Sequence, residues 1–230
     1  AQELASRSRC CGVGRVARLL REMGLQAIQP KSYRPRTTDS RHSLGYSPNL
    51  LLECPPPDGI NQVWVGDISY VPLQAGSFLY LAMLMDLYSR RIVAWELRDH
   101  MRESLVLSAL HEAIALRNPR AGLIHHTDRG GQYAGKEYRR VLARAEIRQS
   151  MSRAGDCYDN AFMESCFGTI KTELEMECYE HERAARAEIV AYIRYYNLRR
   201  RHSALDYLTP NEFEKRGHGP RRRGRTVKTT

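Results

Sequence analysis

Between Gln62 and Leu97 the chain carries three apolar runs rich in β-branched and aromatic residues, separated only by short turns. They are Gln62–Pro72 (QVWVGDISYVP), Ser77–Asp86 (SFLYLAMLMD) and Arg91–Leu97 (RIVAWEL), with Gln74-Ala75-Gly76 and Ser89-Arg90 between them. Connections this short leave no room for a crossover, so the runs predict three consecutive antiparallel strands. Glu103–Arg117 then places Val106, Ala109, Leu110, Ala113 and Leu116 at helical spacing. The pattern continues as a short strand Leu123–Thr127, a helix Lys136–Ala145, a strand Ile147–Met151 and helices Ala161–Met176 and Ala184–Leu198. The order β-β-β-α-β-α-β-α predicts an α/β fold, one mixed sheet of about five strands flanked by helices.

The formal net charge is +10, and its distribution says more than its sum. Residues 1–45 carry +6 and residues 199–230 carry +7, which leaves −3 for residues 46–198. A near-neutral centre between basic arms suits a protein that grips a polyanion with its ends and works with its middle. In the first arm, Val13, Val16, Leu19, Leu20 and Met23 form an apolar stripe, with Arg15, Arg18 and Arg21 off it and Gly24 at its end. This short basic helix over Val13–Leu25 reads either as a DNA-groove helix, with Arg15 and Arg18 as DNA contacts, or as a surface helix packed on the core. No partner helix is apparent between Ser6 and Gly12.

The six cysteines, at 10, 11, 54, 157, 166 and 178, form no C-x-x-C pair, which predicts reduced thiols in a cytoplasmic protein. The longest apolar run, Phe78–Met85, is far too short to span a bilayer.

Three acids stand apart from the rest. Asp67 interrupts an apolar strand on the face of Val63, Val65 and Val71, where a carboxylate is costly unless a cation or hydrogen bonds satisfy it. Asp128 directly follows a strand and precedes Arg129-Gly130-Gly131, the kind of strand end where α/β sheets hold ligands. Glu164 lies in the opening turns of a helix that Asp159 or Asn160 is suited to cap. Singly, each has an ordinary explanation as a capping, half-buried or exposed acid. Together they form a hard oxygen set of the kind Mg²⁺ prefers, and two such ions would hold a scissile phosphate.

Four ordered blocks carry a family resemblance: Trp64–Tyr70 (WVGDISY), His125–Tyr133 (HHTDRGGQY), Gly155–Glu173 (GDCYDNAFMESCFGTIKTE) and Tyr195–Phe213 (YYNLRRRHSALDYLTPNEF). They resemble the IS-three family of insertion-sequence transposases, within the retroviral-integrase superfamily, and 35 residues separate Asp128 from Glu164 as in that family's D,D-35-E pattern. The resemblance implies a ribonuclease-H-like core with Asp67, Asp128 and Glu164 as the catalytic, metal-binding acids. It implies two Mg²⁺ ions, with Mn²⁺ able to substitute, and metal-dependent cleavage of element ends followed by strand transfer. It further implies DNA contacts at Lys171, Arg199, Arg201 and His202, a homo-oligomer, an upstream-frame helix-turn-helix partner protein, and action at the bacterial nucleoid. His125 and His126 alternate across their strand, one toward the core and one toward the site.

The regions expected are 1–29, a partial helix-turn-helix-like DNA-binding region; 30–60, a linker; 61–217, an integrase-type catalytic core with a helical extension; and 218–230, a disordered basic tail. Phe162, Cys166 and Ser69 depart from the family pattern without removing an acid, and only twelve residues precede Val13, as in a truncated copy. Two other readings share these features: an inactive relative that only binds DNA, and a ribonuclease-H-type nuclease.

Overall fold

The computed structural model describes residues 1–26, 44–74, 76–153, 161–174 and 178–216. Helices α1 (Gln2–Ser6) and α2 (Val13–Glu22) precede five strands, β1 (Val63–Pro72), β2 (Phe78–Asp86), β3 (Ile92–Arg98), β4 (Ile124–Thr127) and β5 (Arg148–Met151). Helix α3 (Glu103–Arg117) joins β3 to β4, and α4 (Gly131–Ala134) and α5 (Lys136–Arg144) join β4 to β5. Helices α6 (Ala161–Glu173), α7 (Glu182–Leu198) and α8 (Pro210–Lys215) follow. The sheet runs β3-β2-β1-β4-β5. β1, β2 and β3 are antiparallel neighbours, and β4 and β5 join parallel to β1, as a mixed sheet requires. The expected elements are present to within a few residues, and α1 is an addition that the sequence pattern did not reveal. Among the described residues no helix is long and apolar enough to cross a membrane.

Strand alternation divides the interior into two layers. Val63, Val65 and Val71 of β1 face α6 and α7, whose Met163, Phe167, Ile170, Ile189 and Ile193 complete one core. Trp64 and Ile68 face the other way, against Leu105, Val106, Ala109 and Leu110 of α3 and Tyr138 and Leu142 of α5. In α7 the buried residues Ala185, Ile189, Tyr192, Ile193 and Tyr196 recur every three or four positions, and the His181 side chain accepts from Ala184 N–H to cap its start. Asn197 of α7 accepts from Ile92 N–H and donates to Ile92 C=O, and Arg186 donates to Leu97 C=O.

Residues 45–52, inside the stretch read as linker, lie along β5. Ser47 Oγ donates to Gln149 Oε1 (2.8 Å), Leu50 N–H to Ser150 Oγ (2.9 Å) and Met151 N–H to Pro48 C=O (3.3 Å). Leu50, Leu51 and Cys54 pack on the α6/α7 core. The Asp159/Asn160 cap and the basic tail fall outside the described residues.

A buried ionic network fastens the C-terminal helix to the sheet. Asp86, at the end of β2, accepts from Asn61 N–H, Tyr88 N–H, Ser89 N–H and Ser89 Oγ. Burial still pushes its carboxyl above the ordinary range, against those hydrogen bonds and the Arg117 charge 3.9 Å away. Arg117 forks onto Glu214 of α8 at 2.7 and 2.9 Å, and Arg91 and Ser89 donate to the same carboxylate. Burial works to raise Glu214 as well, but the Arg117 bonds prevail and hold it below the usual value. Helix α8 is itself set by a capping box between Thr209 and Glu212 with Pro210 in its first turn.

Arg117→Ala strands the buried Asp86 carboxylate without its cation and leaves Glu214 with Arg91 alone, a loss of about 3–5 kcal/mol. We expect a lower urea midpoint at unchanged slope, and a midpoint equal to wild type would show that the network contributes nothing to stability.

Candidate functional site

The β1–β4 pairing creates the site. Its parallel register sets Val63 beside Ile124 and Val65 beside His126. Two residues further along each strand, on the same face, come Asp67 and Asp128. β4 ends at Thr127 while β1 continues to Pro72, so the two acids sit where the strands part. Both are half-buried and line one small cleft with Gly130, Gln132 and Tyr133. Asp67 Oδ1 accepts from Ile68 N–H at 2.8 Å, and Asp128 Oδ1 accepts from Gly130 N–H at 2.9 Å, which folds the Asp-Arg-Gly loop back on itself. Arg129 is held by Ser152 C=O at 2.7 Å and lies over the Tyr46 ring.

Gly66 is required by this arrangement. A Cβ there would stand 2.9 Å from Cε1 of His125, whose ring fills the space beside the strand. His125 is fully buried between Tyr138 Oη (2.7 Å) and Trp64 C=O (3.3 Å), and burial pushes its pKa down to about 4, so it stays neutral. His126, on the opposite face, is equally buried, with Nδ1 2.8 Å from Ser150 Oγ. The expected alternation holds, and both rings are interior.

Helix α6 crosses the Asp67 face with Met163, Phe167 and Ile170 turned inward, which leaves Glu164 exposed in its first turn and Lys171 two turns on. The Asp67 carboxyl is pushed well above its ordinary range, first by burial and then by the Asp128 charge. Glu164 adds to the rise, while the Ile68 N–H and Lys171 oppose it. Lys171 is itself lowered by burial, against the pull of Asp67. The fold thus gathers Asp67 and Asp128 as a pair with Glu164 and Lys171 in electrostatic range. Among the described residues no three histidine, cysteine or acidic side chains stand close enough to hold one ion as placed.

The other predicted residues lie elsewhere. Arg15 and Arg18 are exposed on α2, with Arg18 near Glu22 at 3.5 Å. Arg199 and Arg201 line a broad groove with Glu3, Val16 and Leu20 of the N-terminal helices, and Arg201 donates to Glu3 (2.9 Å) and to Tyr207 C=O. The His202 ring packs edge-on against Tyr196, and burial lowers its pKa to about 4.

Two segments match the integrase core domain family, residues 57–157 and residues 145–210. The chain is 42% identical over 218 residues to an insertion element IS600 protein of Shigella sonnei, covering 94% of this chain and 79% of that one. It is 39% identical over 214 residues to the transposase InsF for insertion sequence IS3A of Escherichia coli (strain K12), covering 92% of this chain and 74% of that one. The chain belongs to the IS-three family of insertion-sequence transposases. Its activity is accordingly that of a DNA transposase with strand transfer. Among solved structures, the HTLV-2 integrase catalytic core in complex with magnesium matches with a TM-score of 0.55 at 17% identity, over 68% of this chain and 97% of that one. The simian T-cell lymphotropic virus intasome chain matches with a TM-score of 0.58 at 15% identity, over 99% of this transposase and 79% of that chain. The transposase therefore has the ribonuclease-H-like fold of retroviral integrase cores.

Sequence reasoning missed Asp86 and Glu214. Asp86 closes an apolar run and Glu214 lies in a short polar segment, positions at which an acid is ordinary. Only the absence of an acid three or four residues from Arg117 in sequence points to distant acids as its partners.

A raised Asp67 carboxyl favours the fold below its unfolded value and costs stability as pH rises through the folded value. In metal-free buffer at neutral pH, Asp67→Asn should therefore melt at least about 2 °C above wild type. Mg²⁺ should raise the wild-type melting temperature and leave the variant unmoved. Identical responses of both proteins to Mg²⁺ would exclude Asp67 as a ligand.

Proposed function

We propose that Asp67, Asp128 and Glu164 are the catalytic acids of this transposase and that they hold the divalent cations, two Mg²⁺ with Mn²⁺ able to replace them. The observation that carries the reading is the Asp67–Asp128 pair at the parting of β1 and β4, with a carboxyl raised by burial and by its neighbour's charge. Two half-buried carboxylates set side by side are a donor set that a hard divalent ion satisfies. When bound, Mg²⁺ supplies Lewis-acid stabilisation at both the attacking and the leaving oxygen of a phosphodiester.

The chain's own residues do the rest. Glu164 is exposed on the face of α6 beside the pair, available as the third ligand. Lys171, two turns along the same face, binds a phosphate of the element end and holds it against the acids. The neutral His125 and Gly66 keep β1 and β4 close enough for the two aspartates to act on one phosphate. The Asp128–Gly130 turn, braced by Arg129 and Ser152, fixes the second aspartate from behind. Water attacks the phosphodiester at the element end and frees a 3′-hydroxyl. That hydroxyl then attacks a phosphodiester of the target, whose bridging oxygen leaves as a new 3′-end, so one bond forms as one breaks.

Around this centre, residues 1–29 serve as a DNA-binding region through Arg15 and Arg18, and residues 61–217 form the catalytic core with its extension. Residues 30–60 connect them, and 218–230 add a basic tail. Arg199, Arg201 and His202 contribute DNA contacts from the C-terminal block. The active form is a homo-oligomer at the nucleoid, assisted by a helix-turn-helix protein from the element's upstream frame.

Glu164→Gln and Asp128→Asn should each lower joining of a 3′-hydroxyl duplex to a plasmid by at least about a hundredfold with either Mg²⁺ or Mn²⁺, while retention on immobilised DNA changes less than about twofold. Joining by either variant at the wild-type rate would sink the assignment. Cleavage of an RNA–DNA hybrid in place of joining would favour a nuclease.

A further inference from the structure

Strand transfer brings two duplexes to one pair of acids, the element end and the target. The pair lies between two layers, with α6 and Lys171 on one side of the sheet and α4 and α5 on the other. Helix α5 begins six residues after Gly130 and carries Lys136, Arg139, Arg140 and Arg144 against a single acid, Glu137. Its inner face, Tyr138, Val141 and Leu142, is buried, and Arg139 is drawn aside to Gly45 C=O at 2.7 Å. Lys136, Arg140 and Arg144 therefore form one exposed row at four-residue spacing, with about 6 Å of helix rise between neighbours.

Like charges one turn apart repel and weaken a helix, so such a row is not what stability alone would select. Arg140 meets Glu137 at 3.0 Å, but both side chains are about half exposed (57% and 43%), and a pair of that kind is weak. Lys136, Arg144 and Arg148 have no ion pair among the described residues. The row also continues. Gly122 N–H donates to Glu146 C=O and Arg148 N–H to Leu123 C=O, which sets the exposed Arg120 and Arg148 beyond Arg144 at the far end of the sheet. The near end is rigid, because Glu103 of α3 accepts from Tyr138 N–H at 2.8 Å and its carboxylate occupies the space where a Cβ on Gly135 would lie.

We propose that the α5 row, Lys136, Arg140 and Arg144 with Arg120 and Arg148 beyond it, binds the phosphate backbone of the target duplex, opposite the face on which Lys171 meets the element end. The proposal rests on Asp67, Asp128 and Glu164 being the reaction centre. Guanidinium forks in a line suit successive phosphates and read no bases, as a duplex of unspecified sequence requires.

The test uses the full chain with Lys136, Arg140 and Arg144 all changed to Gln, and a companion in which Lys136 is changed to Arg. The donor is a duplex of the element's terminal sequence with a free 3′-hydroxyl, the target a supercoiled plasmid, and circular dichroism melting confirms the fold of each variant. For the triple variant, the plasmid concentration giving half-maximal joining should rise about tenfold or more. The log–log salt dependence of plasmid binding should become shallower by about 2–3, near 0.9 for each lost phosphate contact. Donor-duplex binding should stay within about twofold, and the Lys136→Arg companion should behave as wild type. An unchanged half-maximal concentration and salt slope would mean that the row is only a solvated face. A loss confined to donor binding would place the element end there, and either result overturns the proposal. Failure of the reaction centre itself would appear separately, as joining that survives Glu164→Gln. Plasmid binding without joining still reports on the row.

Discussion

The parallel pairing of β1 with β4 is the interaction on which the rest of the molecule turns. A shift of one residue in that register would separate Asp67 from Asp128 and send one of them to the opposite core, because side chains alternate strictly along a strand. Several otherwise unrelated features serve to hold it. Gly66 lets the strands approach over the His125 ring, Tyr138 and Trp64 fix that ring by its two nitrogens, and Ser150 fixes the next histidine from β5. The site is thus specified less by the acids than by the buried polar contacts beneath them. Those contacts tie the two histidines of β4 to both neighbouring strands and to α5.

The electrostatics follow from that geometry. A half-buried carboxylate beside a second one raises the cost of charging both, and nearby positive charge such as that of Lys171 lowers it. Elsewhere the fold neutralises its buried acids internally, as Arg117 does for Asp86 and Glu214. There a guanidinium forks onto Glu214 at hydrogen-bond distance, whereas the charge that Lys171 brings to Asp67 acts through space.

Much of this was legible in the sequence, and the exceptions have physical reasons. The element order and the antiparallel run of β1, β2 and β3 followed from turn lengths and strand patterning. Asp67 stood out as an acid within an apolar alternation, and Asp128 as an acid at a strand end. Glu164 owed its place to the motif, since an exposed acid in a first helical turn is ordinary. Helix α1 escaped notice because five residues carry too little periodicity to read. Residues 45–52 looked like a connector because their contacts to α5 and β5 run mainly through backbone groups, Gly45 C=O to α5 and Pro48 C=O and Leu50 N–H to β5, to which composition is blind. The partnership of Asp86 with Glu214 spans most of the chain, and no local pattern encodes it.

The stretch along β5 and the α7 side chains on β3 have a joint effect on how copies of this protein can meet. Sheets commonly recruit one another by adding strand to strand at an open margin, a route that also leads to uncontrolled polymerisation. Here Pro48 C=O takes Met151 N–H on the outer margin of β5, and Asn197 and Arg186 take backbone groups of Ile92 and Leu97 on that of β3. Strand addition along those stretches is disfavoured. Contacts through helical faces and loops, by contrast, form and release without rebuilding a hydrogen-bond ladder.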